Sequence, residues 1–88
     1  MVSTRVIISG ATGLHLRPAG VLCEEAMKFP CKITFRVRES YEANAKSVLS
    51  VLGACVKSGE EIELMCDGED EEEALAHIKA AIESGLGE

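Results

Sequence analysis

Aromatic residues are scarce in this chain: tryptophan is absent, and one tyrosine with two phenylalanines makes up 3% of the sequence. The hydrophobic fraction of 47% is still ample for a folded domain, so the core is aliphatic, built from Val, Ile, Leu, Ala, Met and Cys. Positive charge is in short supply too. Nine Lys and Arg stand against fifteen Asp and Glu, and the net charge of −6 argues against nucleic acid or an anionic membrane as partner; both would need a basic surface.

No apolar run approaches the length of a membrane span, and the first residues lack the charged and apolar regions of a signal peptide. A cytoplasmic location is expected. Cys23, Cys31, Cys55 and Cys66 include no C-x-x-C pair and no zinc-ligand spacing. Each falls in or beside an apolar stretch, where a thiol behaves as a small hydrophobe. Four reduced thiols are expected, with no metal and no cofactor. Repeats, low-complexity tracts and linkers are missing as well, so residues 1–88 read as a single domain with a thin core.

What is present is a clear succession of patterns. Thr4 to Ser9 alternates, with Val6 and Ile8 on one face, and predicts a first strand. Ala19, Leu22, Cys23 and Ala26 recur at helical spacing between Leu16 and Met27, and Phe29-Pro30 ends that helix. Lys32 to Arg38 alternates with Ile33, Phe35 and Val37 inward, and a polar turn leads to a short strand at Tyr41 to Ala43. Ser47 is an N-cap for a short second helix ending near Gly53. Glu61 to Asp67 is the last strand, with Ile62, Leu64 and Cys66 inward and Glu61, Glu63 and Met65 outward. Asp70 with Glu73 predicts an acidic capping box for a third helix that buries Ala74, Leu75, Ile78, Ala81 and Ile82.

The order is β-α-β-β-α-β-α, and every strand is apolar on one face only. A helical crossover makes the first two strands parallel and leaves room for an antiparallel strand between them. The expected fold is α+β, an open-faced β-sandwich. Its four-stranded antiparallel sheet, in the order 1-4-2-3, is covered on one face by three helices.

The chemistry concentrates at Gly13-Leu14-His15-Leu16-Arg17-Pro18-Ala19. A proline just after a loop histidine signals a helix start, which puts His15 at or beside the N-cap. Unpaired backbone N–H groups and the positive end of the helix dipole face outward there and suit an anion. Arg17 adds a guanidinium that forks onto phosphate oxygens. Nucleophile, anion cradle and cation together predict a phosphoryl-accepting site.

Other polar residues have plainer readings. His77 is placed to pair with Glu73 one turn earlier, and Glu71-Glu72-Glu73 complements a helix dipole rather than binding a cation. Ser47 needs no role beyond capping, although a phosphate at a helix start would be well tolerated. Val48, Leu49, Val51 and Leu52 cannot all face the core from one short helix, so an exposed aliphatic docking patch is expected.

The His15 motif resembles the active-site signature of HPr, the histidine-containing phosphocarrier of the bacterial phosphoenolpyruvate-dependent sugar phosphotransferase system. Ala45-Lys46-Ser47-Val48-Leu49-Ser50-Val51-Leu52 is similar to the regulatory-serine segment of that family, and Gly68-Glu69-Asp70-Glu71 also fits, so the resemblance spans essentially the whole chain. It implies a carrier rather than an enzyme. His15 would accept phosphate, as a pros-phosphohistidine, from the phosphoenolpyruvate-charged first enzyme and pass it to sugar-specific A components. Arg17 would contact the phosphoryl group. Ser47 matches a serine that an ATP-dependent kinase modifies in some lineages, which would add a serine kinase/phosphorylase and a catabolite regulator to the partners. Leu16, Val48, Leu49 and Leu52 correspond to partner-docking positions, with Val51 inside, and a monomer is expected.

Some residues depart from the family pattern. Thr12 stands where many members have asparagine, Leu16 where alanine or threonine is usual, and Gly20 where alanine is frequent. One extra residue falls in the turn near Glu39. None removes a chemical group. Rival readings are a regulatory paralogue of a carbon-catabolite or nitrogen-related branch, a small histidine-nucleophile phosphatase, and a pure interaction module. The phosphatase would need a water-activating group that the sequence does not offer, and an interaction module leaves His15, Arg17 and Pro18 unexplained.

Overall fold

Alternating side chains decide the architecture. The computed structural model describes residues 1–10 and 13–87; Ala11, Thr12 and Glu88 lie outside the described residues, and with them the departure at Thr12. The elements are β1 (Val2–Ile7), α1 (Leu16–Ala26), β2 (Lys32–Val37), β3 (Tyr41–Asn44), α2 (Val48–Gly53), β4 (Glu61–Asp67) and α3 (Glu71–Glu83). They form one four-stranded sheet in the order β1-β4-β2-β3, the topology expected from the sequence. β4 runs antiparallel to β1, from Val2↔Cys66 to Ile7↔Glu61, and to β2, from Lys32↔Asp67 to Val37↔Ile62. β3 closes the edge with Phe35 opposite Ala43.

One face of this sheet supplies Val6, Ile33, Phe35, Val37, Ile62, Leu64 and Cys66 to a core completed by helical residues. Ala19, Leu22 and Ala26 come from α1, Val51 from α2, and Ala74, Ile78 and Ile82 from α3. Each fully buried aliphatic side chain contributes about 1.5–3 kcal/mol of transfer free energy. All three helices therefore bury one stripe each against the same side. The opposite face is wet and carries a cross-strand row Arg5–Glu63–Arg36–Glu42 of alternating charge. Arg36 lies 3.7 Å from Glu63 and 3.6 Å from Glu42.

Several local expectations are corrected. β1 spans Val2–Ile7 rather than Thr4 to Ser9: its pairing with β4 ends at Ile7↔Glu61, and its start is held where Glu71 (3.1 Å) and Asp67 (3.8 Å) bind the N-terminal ammonium. Those contacts raise the ammonium pKa, the Glu71 hydrogen bond most, and the Gly68 N–H and the ammonium hold the Glu71 carboxyl below its usual range. Met65 points away from the core yet is only 6% exposed, because Ser3 and Thr34 flank it in register on the central strand. Asp70 makes no capping hydrogen bond; instead Glu71 Oε1 accepts from the Gly68 N–H at 3.1 Å. Leu75 and Ala81 are half-buried rather than buried. His77 pairs with Glu25 of α1, not with Glu73. The four cysteines are free thiols, Cys31 and Cys66 buried but Cys55 exposed. Burial pushes the Cys66 thiol up to about 12 and raises Cys31 as well, so both are inert structural thiols.

Candidate functional site

His15 is the N-cap of α1, in an extended conformation (φ −76°, ψ −173°), and its side chain makes no capping hydrogen bond. Its carbonyl accepts the Ala19 N–H at 2.8 Å, which closes the first helical turn. Pro18, the third helical residue, has no N–H to offer. Among the described residues the Leu16 and Arg17 amides are the donors left without a partner at this terminus, and the His15 and Arg17 side chains are both exposed there. Such a site can present a ring nitrogen to an electrophilic phosphorus and receive the resulting dianion on N–H groups and a guanidinium.

The loop that delivers His15 rests on another loop. Leu14 is buried and its N–H donates to the Val56 carbonyl at 2.9 Å. Gly13, at φ 71°, lies so close that a Cβ would come within 2.5 Å of the Val56 oxygen and 2.9 Å of Lys57 Cα. Only glycine fits that position without displacing the floor.

Ser47 caps α2 as expected, its Oγ accepting the Ser50 N–H at 3.2 Å. Ser50 Oγ in turn accepts the Asn44 N–H at 2.8 Å, tying the helix start to β3. Cys23 Sγ contacts the Lys46 carbonyl at 3.2 Å, whereas Leu14 contacts Val56 beyond the far end of α2. Helices α1 and α2 therefore run antiparallel. Ser47 lies near the level of Cys23, about 12 Å down the α1 axis from His15 at 1.5 Å per residue.

The aliphatic residues divide as the short helix requires. Val51 is fully buried, Val48 and Leu52 are partly buried against the core, and Leu49 is 82% exposed. Leu16, in the first turn of α1, is 70% exposed. Two neighbouring helices thus present apolar side chains to solvent. Among the described residues no group of three or more His, Cys, Asp or Glu side chains could hold a metal ion, and no helix is long and apolar enough to cross a membrane. The sequence signalled His15, Arg17 and Ser47 but not the supporting groups. The Val56 carbonyl has no sequence signature; Gly13 had one, as the glycine that opens the motif.

The family model for the phosphorylation site of the phosphotransferase HPr component matches residues 2–84. The phosphocarrier protein HPr of Mycoplasma capricolum is 40% identical over 79 residues, covering 90% of this chain and 88% of that protein. The HPr-like protein Crh of Bacillus subtilis is 35% identical over 83 residues, 94% of this chain and 96% of Crh. Among solved structures, HPr-C-His from Thermoanaerobacter tengcongensis superposes with a TM-score of 0.93 at 35% identity, covering 100% of this chain and 98% of that one. The chain belongs to the HPr family, the phosphocarrier proteins of the bacterial phosphotransferase system, which are carriers and not enzymes.

Proposed function

We propose that His15 is the phosphoryl acceptor of this carrier and Arg17 the residue that contacts the transferred group. The observation that carries the reading is the exposed N-cap imidazole with no capping hydrogen bond, at a helix start whose first-turn amides have no partner among the described residues and which carries an exposed arginine. The lone pair of Nδ1 attacks phosphorus and the P–N bond forms. The bond from phosphorus to the donor breaks, and its electron pair leaves with the donor. The Leu16 and Arg17 amides and the Arg17 side chain then hold the phosphoryl oxygens. No neighbouring acid or base is needed, because the P–N bond is labile enough to pass the group on.

The donor is the phosphoenolpyruvate-charged first enzyme, and the acceptors are sugar-specific A components, met by a cytoplasmic monomer through Leu16, Val48, Leu49 and Leu52. Ser47 is the regulatory position, open to a serine kinase/phosphorylase and through it to a catabolite regulator. The His15-x-Arg17 pair favours phosphotransfer over a purely regulatory role. Phosphorus NMR after incubation with phosphoenolpyruvate and a purified first enzyme tests the reading. A phosphohistidine signal at Nδ1, absent from His15→Ala, is expected; a signal that survives in His15→Ala removes it.

A further inference from the structure

Among the described residues four non-glycine residues have positive φ, and three of them lie in two turns that one side chain bridges. Arg38 (φ 54°) and Glu39 (φ 59°) form the turn between β2 and β3, and Cys55 (φ 51°) follows the C-cap of α2. This left-handed conformation is unfavourable for a residue with a Cβ and needs support from its surroundings. The Arg38 guanidinium ties the two turns together. Nη1 donates to both carboxylate oxygens of Glu60 at 2.9 Å, and Nη2 donates to the Ala54 carbonyl at 2.5 Å. That carbonyl is one of those the end of α2 leaves unpaired. Glu60 Oε1 also accepts the Lys57 N–H at 2.8 Å, and the Glu60 N–H donates to the Lys57 carbonyl at 3.0 Å. The Lys57 amide and Arg38 together hold the Glu60 carboxyl below its usual range.

One guanidinium therefore bridges both ends of the 54–60 turn, and the Glu60 end is also tied to Ile8 by the Gly59 N–H donating to the Ile8 carbonyl at 2.8 Å and the Ile8 N–H donating to the Glu60 carbonyl at 2.9 Å. Between the two ends lies the floor on which the His15 loop rests, with the Val56 carbonyl accepting the Leu14 N–H and Gly13 pressed onto Val56, Lys57 and Ser58. We infer that Arg38 is a positioning residue for phosphoryl transfer: by holding the 54–60 turn against residues 13–15 it sets where the His15 imidazole stands. This rests on the assignment of His15 as acceptor. The start of α2 is held separately by Ser47, Ser50 and Asn44. Loss of the guanidinium should misplace the nucleophile while leaving the docking patch in place. Lysine replaces it only in part, since an ammonium lacks the planar fork that reaches both partners at once.

The test uses the full chain and steady-state phosphorylation by the phosphoenolpyruvate-charged first enzyme. Arg38→Ala should lower kcat about tenfold, the size of effect expected from a small misplacement of a reacting group, with KM for the carrier unchanged. Arg38→Lys should fall between it and wild type. Hydrogen exchange at the Leu14 amide should quicken in Arg38→Ala while the β4 amides keep their protection. Arg5→Ala, which removes an exposed ion pair to Glu61 on the open sheet face, should leave kcat alone. Phosphorylation on His15 with full kcat in Arg38→Ala overturns the proposal alone, as does an equal slowing by Arg5→Ala or a rise confined to KM. Wild-type protein phosphorylated at another residue instead defeats the His15 assignment, and the proposal with it.

Discussion

His77 and Glu25 are 52 residues apart in sequence, yet Nε2 of one lies 2.5 Å from Oε1 of the other, joining α3 to α1 on the surface. Lys28 Nζ reaches both oxygens of the same carboxylate at 3.1 Å, and the Phe29 ring packs against the imidazole with centroids 5.2 Å apart. The helix that carries His15 is thus held to α3 near its C-terminus.

That contact makes a pH prediction. The His77 hydrogen bond first, then Lys28, holds the Glu25 carboxyl below its usual range. A depressed carboxylate contributes stability that is complete above its unfolded pKa of about 4.3 and is lost as pH falls through the lower folded value. Glu60 and Glu71 are depressed too and act in the same direction. Urea midpoints of the wild type should therefore drop below about pH 4.3, and Glu25→Gln should drop less steeply. Identical acid slopes for the two proteins would contradict the assignment.

Gly13 and Gly59 both have positive φ, but only Gly13 has backbone packed against the place a Cβ would take. Gly59→Ala carries only the conformational cost of about 1–2 kcal/mol. Gly13→Ala adds a collision with Val56 and Lys57, so its melting temperature should fall further and its phosphorylation should slow. Equal melting temperatures for the two variants would show that the loop yields without cost.

Ser47→Ala should lose about 1 kcal/mol with the N-cap. Ser47→Asp keeps an acceptor for the Ser50 N–H, so its circular dichroism should match wild type. Its added charge would sit at the edge of the proposed docking patch and should raise KM for the carrier while sparing kcat. An unchanged KM defeats the regulatory role, and a lost folded spectrum makes the serine structural.

Leu49 and Val51 separate docking from folding. Leu49→Ala should leave stability unchanged and raise KM about tenfold, as for an exposed anchor at an interface. Val51→Ala should cost on the order of 2 kcal/mol of stability with little effect on KM. The reverse pattern would move the docking patch elsewhere.

These contrasts show what the sequence could reveal. Ile33, Phe35 and Val37, like Ile62, Leu64 and Cys66, alternate so regularly that the core face was legible without coordinates. His15 and Ser47 were legible because capping is local chemistry. Met65 faces outward as alternation predicts, but alternation reports a side chain's face and not its exposure, which here is low because the strand is central and Ser3 and Thr34 flank it. The Asp70–Glu73 capping box expected at the start of α3 does not form; Glu71 reaches back to the Gly68 N–H instead, a choice among adjacent acidic residues that spacing alone does not make. His77–Glu25 and Arg38–Glu60–Ala54 were invisible because their partners come together only after the sheet has formed.

Intact-mass measurement after incubation with phosphoenolpyruvate and a purified first enzyme tests the central claim most directly. The wild type should gain one acid-labile phosphoryl group per chain. His15→Ala should gain none while keeping its melting temperature, and Arg17→Ala should gain the group more slowly. A phosphoryl group on His15→Ala would contradict the account.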